Sequence, residues 1–118
     1  MAKILLIEDD PTMLSLLNTL LEIEGHEVAQ LDVFNNIIDD VRNNAPDVIL
    51  MDVNLHETDG LKLLESIRNE EAFQDIKVIM SSGMDFLEES ISKGANGFLL
   101  KPYMPDELIN RINQLVSN

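Results

Sequence analysis

The stretch Val48-Ile49-Leu50-Met51-Asp52-Val53-Asn54 contains four consecutive apolar residues that lead directly into a single aspartate. A short, continuous apolar run is typical of a strand that is buried on both faces, as the strands of parallel sheets are. Asp52 then lies at the carboxyl end of this strand, and open α/β sheets bind their ligands at that edge. Asp52 is therefore the candidate reactive group, and its helpers are expected at the ends of neighbouring strands.

Strand-like and helix-like patterns alternate along the rest of the chain. Strands are predicted at residues 3–7, 26–31, 47–51, 76–80 and 97–100. Apolar residues at helical spacing follow each strand, and the connections are short. This alternation predicts an α/β fold, a doubly wound five-stranded parallel sheet of order 2-1-3-4-5 with five helices in a flavodoxin-like three-layer sandwich. Residues 1–118 are expected to form one domain, with a polar loop at 54–60.

The composition excludes several kinds of partner and site. The 22 acidic and 8 basic residues give a formal net charge of −14, which repels nucleic acid and anionic membrane surfaces. There is no cysteine, so disulfides and zinc–thiolate sites are excluded.

No apolar run approaches the roughly 18 residues that span a membrane, and acidic residues come too early for a signal peptide, so a cytoplasmic protein is expected. His26 and His56 are expected at the surface without a specific role.

Polar residues follow four of the predicted strands. They are Asp9 and Asp10 after the first strand, Asp52 after the third, Ser82 after the fourth and Lys101 after the fifth. The first and third strands are neighbours in the predicted order, about 4.8 Å apart, so the three carboxylates are expected to converge. Two carboxylates at about 4 Å repel each other by about 4 kcal/mol at an effective dielectric constant of about 20. A Mg²⁺ ion, which prefers oxygen ligands and phosphate partners, would relieve this repulsion.

Lys101 and Ser82 would complete a site for a phosphoryl group. The lysine lies two strands from Asp52, and its ammonium is expected beside an oxygen of that aspartate, while the serine can donate its hydroxyl. A carboxylate that accepts a phosphoryl group is an established covalent strategy. Each residue taken alone has a simpler explanation. Asp9 or Asp10 could cap a helix, Ser82 could be an ordinary loop hydroxyl, and Lys101 could be a solvated surface lysine. Their coincidence at one sheet edge favours the site.

These motifs resemble those of the receiver domains of two-component response regulators, over essentially the whole chain. The resemblance rests on the pair Asp9-Asp10, on Asp52, on Ser82-Gly83 and on Lys101-Pro102. It implies a signalling switch rather than an enzyme. Asp52 would accept a phosphoryl group from a sensor histidine kinase or a histidine phosphotransfer protein in a Mg²⁺-dependent phosphorelay step.

The resemblance also implies the ligands of the ion and the pairing of the lysine. Asp10 would bind Mg²⁺ directly and Asp9 largely through water. The backbone carbonyl of Asn54 would complete the protein ligands together with Asp52. Lys101 would pair with a phosphoryl oxygen, and the peptide bond that follows it would be cis.

The parts of the switch follow from the same resemblance. Ser82 would turn towards the phosphoryl group, and Phe98 would be the aromatic residue that swings inward into the vacated space. The face built by the fourth helix, the fifth strand and the fifth helix would then change shape for a downstream effector protein. Asn54 and Met84 would flank the attacking water and set the lifetime of the phosphorylated state.

Some positions depart from the family pattern. His56 stands where the family often has proline, four residues past the acceptor, and Ser81 stands at a commonly apolar position. Glu107 and Arg111 resemble part of an acid–base set used for dimerisation, but Asn96-Gly97 replaces a commonly acidic pair. The expected state is a monomer or a weak, phosphorylation-dependent dimer.

Three alternative functions remain. A receiver-like protein-interaction module would bind partners without phosphorylation, although it has no reason to retain repelling acids. A phosphatase of the haloacid dehalogenase type would need a second acid two residues past the nucleophile, where this chain has Asn54, and its nucleophile would follow the first strand. A flavin-binding protein would need a hydroxyl- and glycine-rich loop after the first strand, where residues 8–11 are mostly acidic.

Overall fold

The computed structural model describes residues 1–31 and 33–116 and contains a five-stranded sheet with helices on both faces. The strands are β1 (Lys3–Ile7), β2 (Glu27–Leu31), β3 (Val48–Asp52), β4 (Lys77–Ser82) and β5 (Gly97–Leu100). The helices are α1 (Pro11–Ile23), α2 (Ile37–Asn44), α3 (Gly60–Asn69), α4 (Leu87–Ser92) and α5 (Pro105–Val116). All neighbouring strands are parallel, in the order β2-β1-β3-β4-β5, which confirms the predicted fold.

The central strand β3 is buried along its whole length, because alternate residues contribute to two different cores. Val48 and Leu50 pack towards the core that contains apolar residues of α1 and α5. Ile49 and Met51 pack towards the core that contains those of α2 and α3. A residue that follows such a strand leaves both cores at the carboxyl edge of the sheet, which is where β3 ends with Asp52.

The structure differs from the prediction in the region between β3 and α3. Residues 54–60 were expected to form a polar loop, but Asn54–Leu55 and Thr58–Asp59 pair as a short antiparallel hairpin. Leu55 is fully buried, and this burial holds the turn against the core. His56 lies in the turn with a positive φ of 48°.

Helix α4 leaves its two large aliphatic residues partly in contact with solvent. Leu87 and Ile91 lie at helical spacing and are 48% and 47% exposed. The fully buried residue is Ser90, and among the described residues its hydroxyl is the buried side-chain group that lacks a hydrogen-bond partner. A buried, unpaired hydroxyl costs stability, so Ser90 is an unfavourable residue for the buried side of α4.

His26 is buried rather than exposed, so the expectation of a surface histidine was wrong at this position. Its Nδ1 atom accepts a hydrogen bond from the backbone N–H of Ala2 at 3.1 Å, at the edge of the sheet opposite Asp52. Burial lowers the pKa of His26, and the nearby amino terminus lowers it further. Across the described ranges, no helix is long and apolar enough to span a membrane.

Candidate functional site

Three carboxylates converge at the carboxyl edge of the sheet. One oxygen from each of Glu8, Asp9 and Asp52 lies within 4.8 Å of the others. Glu8 and Asp9 directly follow β1, whose neighbour in the sheet is β3, and Ile7 lies opposite Met51 in the register. Asp9 and Asp52 are therefore brought together as the sequence predicts, and the third member of the cluster is Glu8.

Asp10 does not join this cluster, which corrects the expectation that it would converge with Asp52. Its Oδ1 atom accepts hydrogen bonds from the backbone N–H groups of Thr12 and Met13 at 3.0 and 3.5 Å, so it is the N-cap of α1. Because Pro11 occupies the first helical position, the residue before it is placed to cap the helix. Pro11 was visible in the sequence as a helix-start signal, which assigns Asp10 to the helix cap. The two acidic residues left for the cluster would then have been Glu8 and Asp9.

Glu8 was missed by the sequence analysis and is engaged on both oxygens. Its Oε2 atom accepts hydrogen bonds from the backbone N–H groups of Asp9 and Asp10 at 3.0 and 3.2 Å. Its Oε1 atom accepts one from Lys101 Nζ at 2.9 Å. Burial raises the pKa of Glu8, and the hydrogen bond from Lys101 partly offsets that increase. Glu8 therefore positions the lysine while lying beside the other carboxylates.

Lys101 is shared between two carboxylates. Its Nζ atom lies 2.9 Å from Glu8 Oε1 and 3.3 Å from Asp52 Oδ2. Burial opposes the charge of Lys101, but the hydrogen bond to Glu8 and the charge of Asp52 outweigh it, so the pKa of the lysine is raised. The lysine is therefore held in its charged form, and its peptide bond to Pro102 is cis.

Ser82 is linked to Asn54 and Met84 by hydrogen bonds. Ser82 is fully buried at the end of β4, and its Oγ atom accepts hydrogen bonds from Asn54 Nδ2 at 3.2 Å and from the backbone N–H of Met84 at 3.1 Å. Because the oxygen acts as acceptor in both contacts, its proton remains able to reach a further acceptor. Asn54 and Met84 are themselves exposed.

Two aromatic residues belong to the strands and loops that carry the site. Phe98 is only 9% exposed and belongs to the core formed with α2 and α3, so its ring already lies inward. Tyr103 packs on the other core, and burial raises its pKa to about 12. Sequence analysis did not select Tyr103, since a half-buried tyrosine has no distinguishing pattern.

The donor set fits a hard divalent cation. Three carboxylate oxygens within 4.8 Å of one another are the type of ligand that Mg²⁺ prefers. One lysine compensates only part of their charge, so a cation would further relieve the repulsion. His56 stands at the rim, with its Nε2 atom 3.4 Å from Asp9 Oδ2.

Comparison with known proteins identifies the family. The model of the response regulator receiver domain matches residues 4–113. The chain belongs to the receiver domain family. Receiver domains are parts of two-component systems, which agrees with the resemblance stated above.

Relatives of this receiver domain differ in length. The transcriptional regulatory protein KdpE of Staphylococcus aureus is 34% identical over 94% of this chain and 48% of its own length. The chemotaxis protein CheY of Bacillus subtilis is 27% identical over 98% of both chains. The signal receiver domain of a response regulator from Bermanella marisrubri has a TM-score of 0.89 and 26% identity over 97% of both chains. The chain thus spans about half the length of the transcriptional regulators it matches and nearly all of CheY.

Proposed function

We propose that this receiver domain is a switch in which Asp52 accepts a phosphoryl group from a phosphohistidine of a sensor kinase or phosphotransfer protein. The observation that carries the proposal is the position of the Asp52 carboxylate, within 4.8 Å of Asp9 and Glu8 and 3.3 Å from Lys101. A carboxylate oxygen would attack phosphorus, a P–O bond would form, and the P–N bond would break. The leaving imidazole would take up a proton.

Asp9, Asp52 and the backbone carbonyl of Asn54 would hold Mg²⁺. Glu8, whose oxygens already accept hydrogen bonds, would contact the ion through water. Asp10 is replaced in this proposal because it caps α1. When bound, the ion would offset the charge of the carboxylates and of the incoming phosphoryl oxygens.

Lys101 and Ser82 would stabilise the phosphorylated state. The lysine would exchange Asp52 Oδ2 for a phosphoryl oxygen while it keeps its bond to Glu8. The hydroxyl proton of Ser82 would donate to a second phosphoryl oxygen. Phosphorylation adds negative charge and acceptor oxygens, so both groups gain a partner that the resting site lacks.

The output would pass through the face of α4, β5 and α5. Exposed apolar side chains are present on it, namely Leu87, Ile91, Leu100 and Met104. A change at Ser82 reaches this face directly, since α4 follows β4 after a short connection. An effector protein that prefers the altered face would shift the equilibrium towards it.

The test is incubation with acetyl phosphate and Mg²⁺, followed by intact-mass measurement. The wild type is expected to gain one phosphoryl group, and Asp52→Asn is expected to gain none. Asp9→Asn is expected to lose most of the gain, because it removes a ligand of the ion. Asp10→Asn serves as the matched control and is expected to behave like the wild type, because asparagine also caps helices well.

An unmodified wild type would contradict the proposal and favour the phosphorylation-independent interaction module. Loss of phosphorylation in Asp10→Asn but not in Asp9→Asn would contradict the assignment of the ligands. These two results are independent of each other, so the function and its metal site are tested separately.

A further inference from the structure

Two titratable side chains hold the amino-terminal residues at the edge of the sheet that is remote from the candidate site. The backbone N–H of Ala2 donates to Nδ1 of His26 at 3.1 Å. The backbone N–H of Lys3 donates to Oδ2 of Asp47 at 2.8 Å. The carbonyl of Ala2 accepts a hydrogen bond from the backbone N–H of Glu27, the first residue of β2, at 3.0 Å. His26 therefore fastens the start of β1 to the start of β2 through Ala2.

The bond between Ala2 and His26 requires a neutral imidazole. A neutral ring has one nitrogen that donates and one that accepts, whereas both nitrogens of a protonated ring are donors. Because Nδ1 accepts the N–H of Ala2, a proton on this atom would set two N–H groups against each other. Ala2 and His26 are 4% and 9% exposed, so water has little access to replace the lost bond.

The surroundings of the ring oppose a positive charge on it. The charged groups of the neighbouring elements are the amino group of Met1, Glu24 after α1, Glu27 in β2, Lys3 in β1 and Asp47 before β3. Burial lowers the pKa of His26 most, the amino group of Met1 lowers it further, and Glu24 offsets part of this change. The other two carboxylates already contact Lys3, one through its ammonium and one through its backbone N–H.

We propose that His26 and Ala2 form a pH-sensitive clasp, which is closed at neutral pH and opens in mild acid to free the amino-terminal residues from β2. Ala2 lines a cavity with Ile76 and Leu115 at this edge, so an open clasp would admit more water to it. The clasp shares no residue with the proposed phosphorylation site, and the inference is independent of the proposed function.

The direction of the pH dependence follows from the lowered pKa of His26 in the folded chain. A released or unfolded His26 has the ordinary pKa of about 6.5 and binds protons more strongly than the buried ring does. The stability that the clasp contributes is therefore fully present above this value. It is lost as the pH falls below about 6.5 towards the lower pKa of the folded state.

The test follows the unphosphorylated protein by nuclear magnetic resonance between about pH 7.5 and about pH 5.5, where histidine titrates. The backbone amides of Ala2 and Glu27 are expected to lose at least about fivefold of their protection from hydrogen exchange at the lower pH, after correction for the intrinsic effect of pH on exchange. The imidazole signals of His26 and the amide signal of Ala2 are expected to change with the same midpoint, below the ordinary histidine value.

Three variants separate the imidazole from the other titratable groups. In His26→Asn, the side-chain oxygen can replace Nδ1 as the acceptor and does not titrate, so protection is expected to be retained at both pH values. His26→Phe fills the space without an acceptor, and protection of Ala2 is expected to be low at both. Asp47→Asn is the matched control, because it keeps an acceptor for Lys3 and removes only the titration of this carboxylate. It is expected to keep the pH dependence of the wild type.

Protection of Ala2 and Glu27 that does not change with pH in the wild type would overturn the inference. An equal loss of protection in the wild type and in His26→Asn would also overturn it, since another group would then be responsible. If His26→Asn does not fold, the wild-type titration decides, and different midpoints for the imidazole and the amide of Ala2 would overturn the clasp. Absence of phosphorylation with acetyl phosphate would count against the proposed function and not against the clasp.

Discussion

Met84 and Met104 expose the same fraction of their surface, 66%, but of the two it is Met84 that lies beside the proposed phosphorylation site. Its backbone N–H donates to Ser82 Oγ at 3.1 Å. The thioether of Met84 is at best a weak hydrogen-bond acceptor, so it orders water poorly beside Asp52. A slow loss of the phosphoryl group is therefore expected in this chain.

Met84→Glu is expected to speed this loss several-fold, because a carboxylate can order the attacking water and accept its proton. The measurement is the decay of the phosphorylated mass with time after removal of acetyl phosphate. Met104→Glu introduces the same charge at an equally exposed position and is expected to decay like the wild type. Decay in Met84→Glu that is unchanged or slower than in the wild type would contradict the role of this position.

Arg68, near the end of α3, ties together the amino-terminal ends of two strands. Its guanidinium donates to the backbone carbonyls of Gly94, Phe73 and Ile76 at 2.8 to 2.9 Å and to Asn96 Oδ1 at 2.9 Å. Phe73 and Ile76 precede β4, whereas Gly94 and Asn96 precede β5. Arg68 thus holds the segment that follows the carboxyl end of α4. The amino-terminal end of α4 is connected to Ser82 by residues 83–86.

Gly94→Ala is expected to destabilise the fold by about 2 kcal/mol or more, because two effects add. Gly94 has a φ of +105°, and an added Cβ would lie 2.7 Å from Cγ of Arg68. The measurement is urea unfolding. Gly83→Ala is the control, because a Cβ there meets nothing within 4 Å, and its free energy of unfolding is expected to stay close to that of the wild type. Equal stability of the two variants would contradict this account.

The elements that could be predicted from sequence are those with one dominant local signal. The apolar runs of β1 and β3 were sufficient to place these two strands. The orientation of α4 was not predictable, because the same spacing of Leu87 and Ile91 serves equally well for a buried or an exposed face. The hairpin after Asp52 escaped prediction because its strands have only two residues each.

The structure brings together two of the three carboxylates that the sequence analysis expected to converge, Asp9 and Asp52, and places Glu8 beside them instead of Asp10. Two adjacent aspartates at 9 and 10 gave an obvious acidic pair, but helix capping and metal binding compete for the same kind of side chain. The structure assigns Asp10 to the cap and brings Glu8 to the cluster. Neither the contact of Glu8 with Lys101 nor that of His56 with Asp9 leaves a pattern in sequence, since both depend on the folded geometry.

At the scale of the whole molecule, a net charge of −14 combines with a cluster of carboxylates at one edge of the sheet. Mg²⁺ is therefore expected to raise the free energy of unfolding, by about 2.7 kcal/mol at a concentration 100 times the dissociation constant. The measurement is urea unfolding with and without MgCl₂, with NaCl at matched ionic strength as the control for screening.

The variant Asp52→Asn distinguishes stabilisation by a bound Mg²⁺ ion from stabilisation by general screening of charge. The variant is expected to gain less stability from Mg²⁺, because it lacks one of the proposed ligands, and to keep the same gain from NaCl. Equal gains from the two salts in the wild type would show that the stabilisation comes from screening alone.

The bond between Lys101 and Glu8 joins residues 93 positions apart in the chain, and the bond between Lys101 and Asp52 joins residues 49 positions apart. The site is therefore assembled from residues that are far apart in the chain, and β5 must take its place beside β4 before the lysine can reach its partners. A nascent chain whose strand β5 is still in the ribosome carries Asp52 without this cation. Only a domain in which β5 has folded beside β4 would then be competent for the proposed phosphoryl transfer.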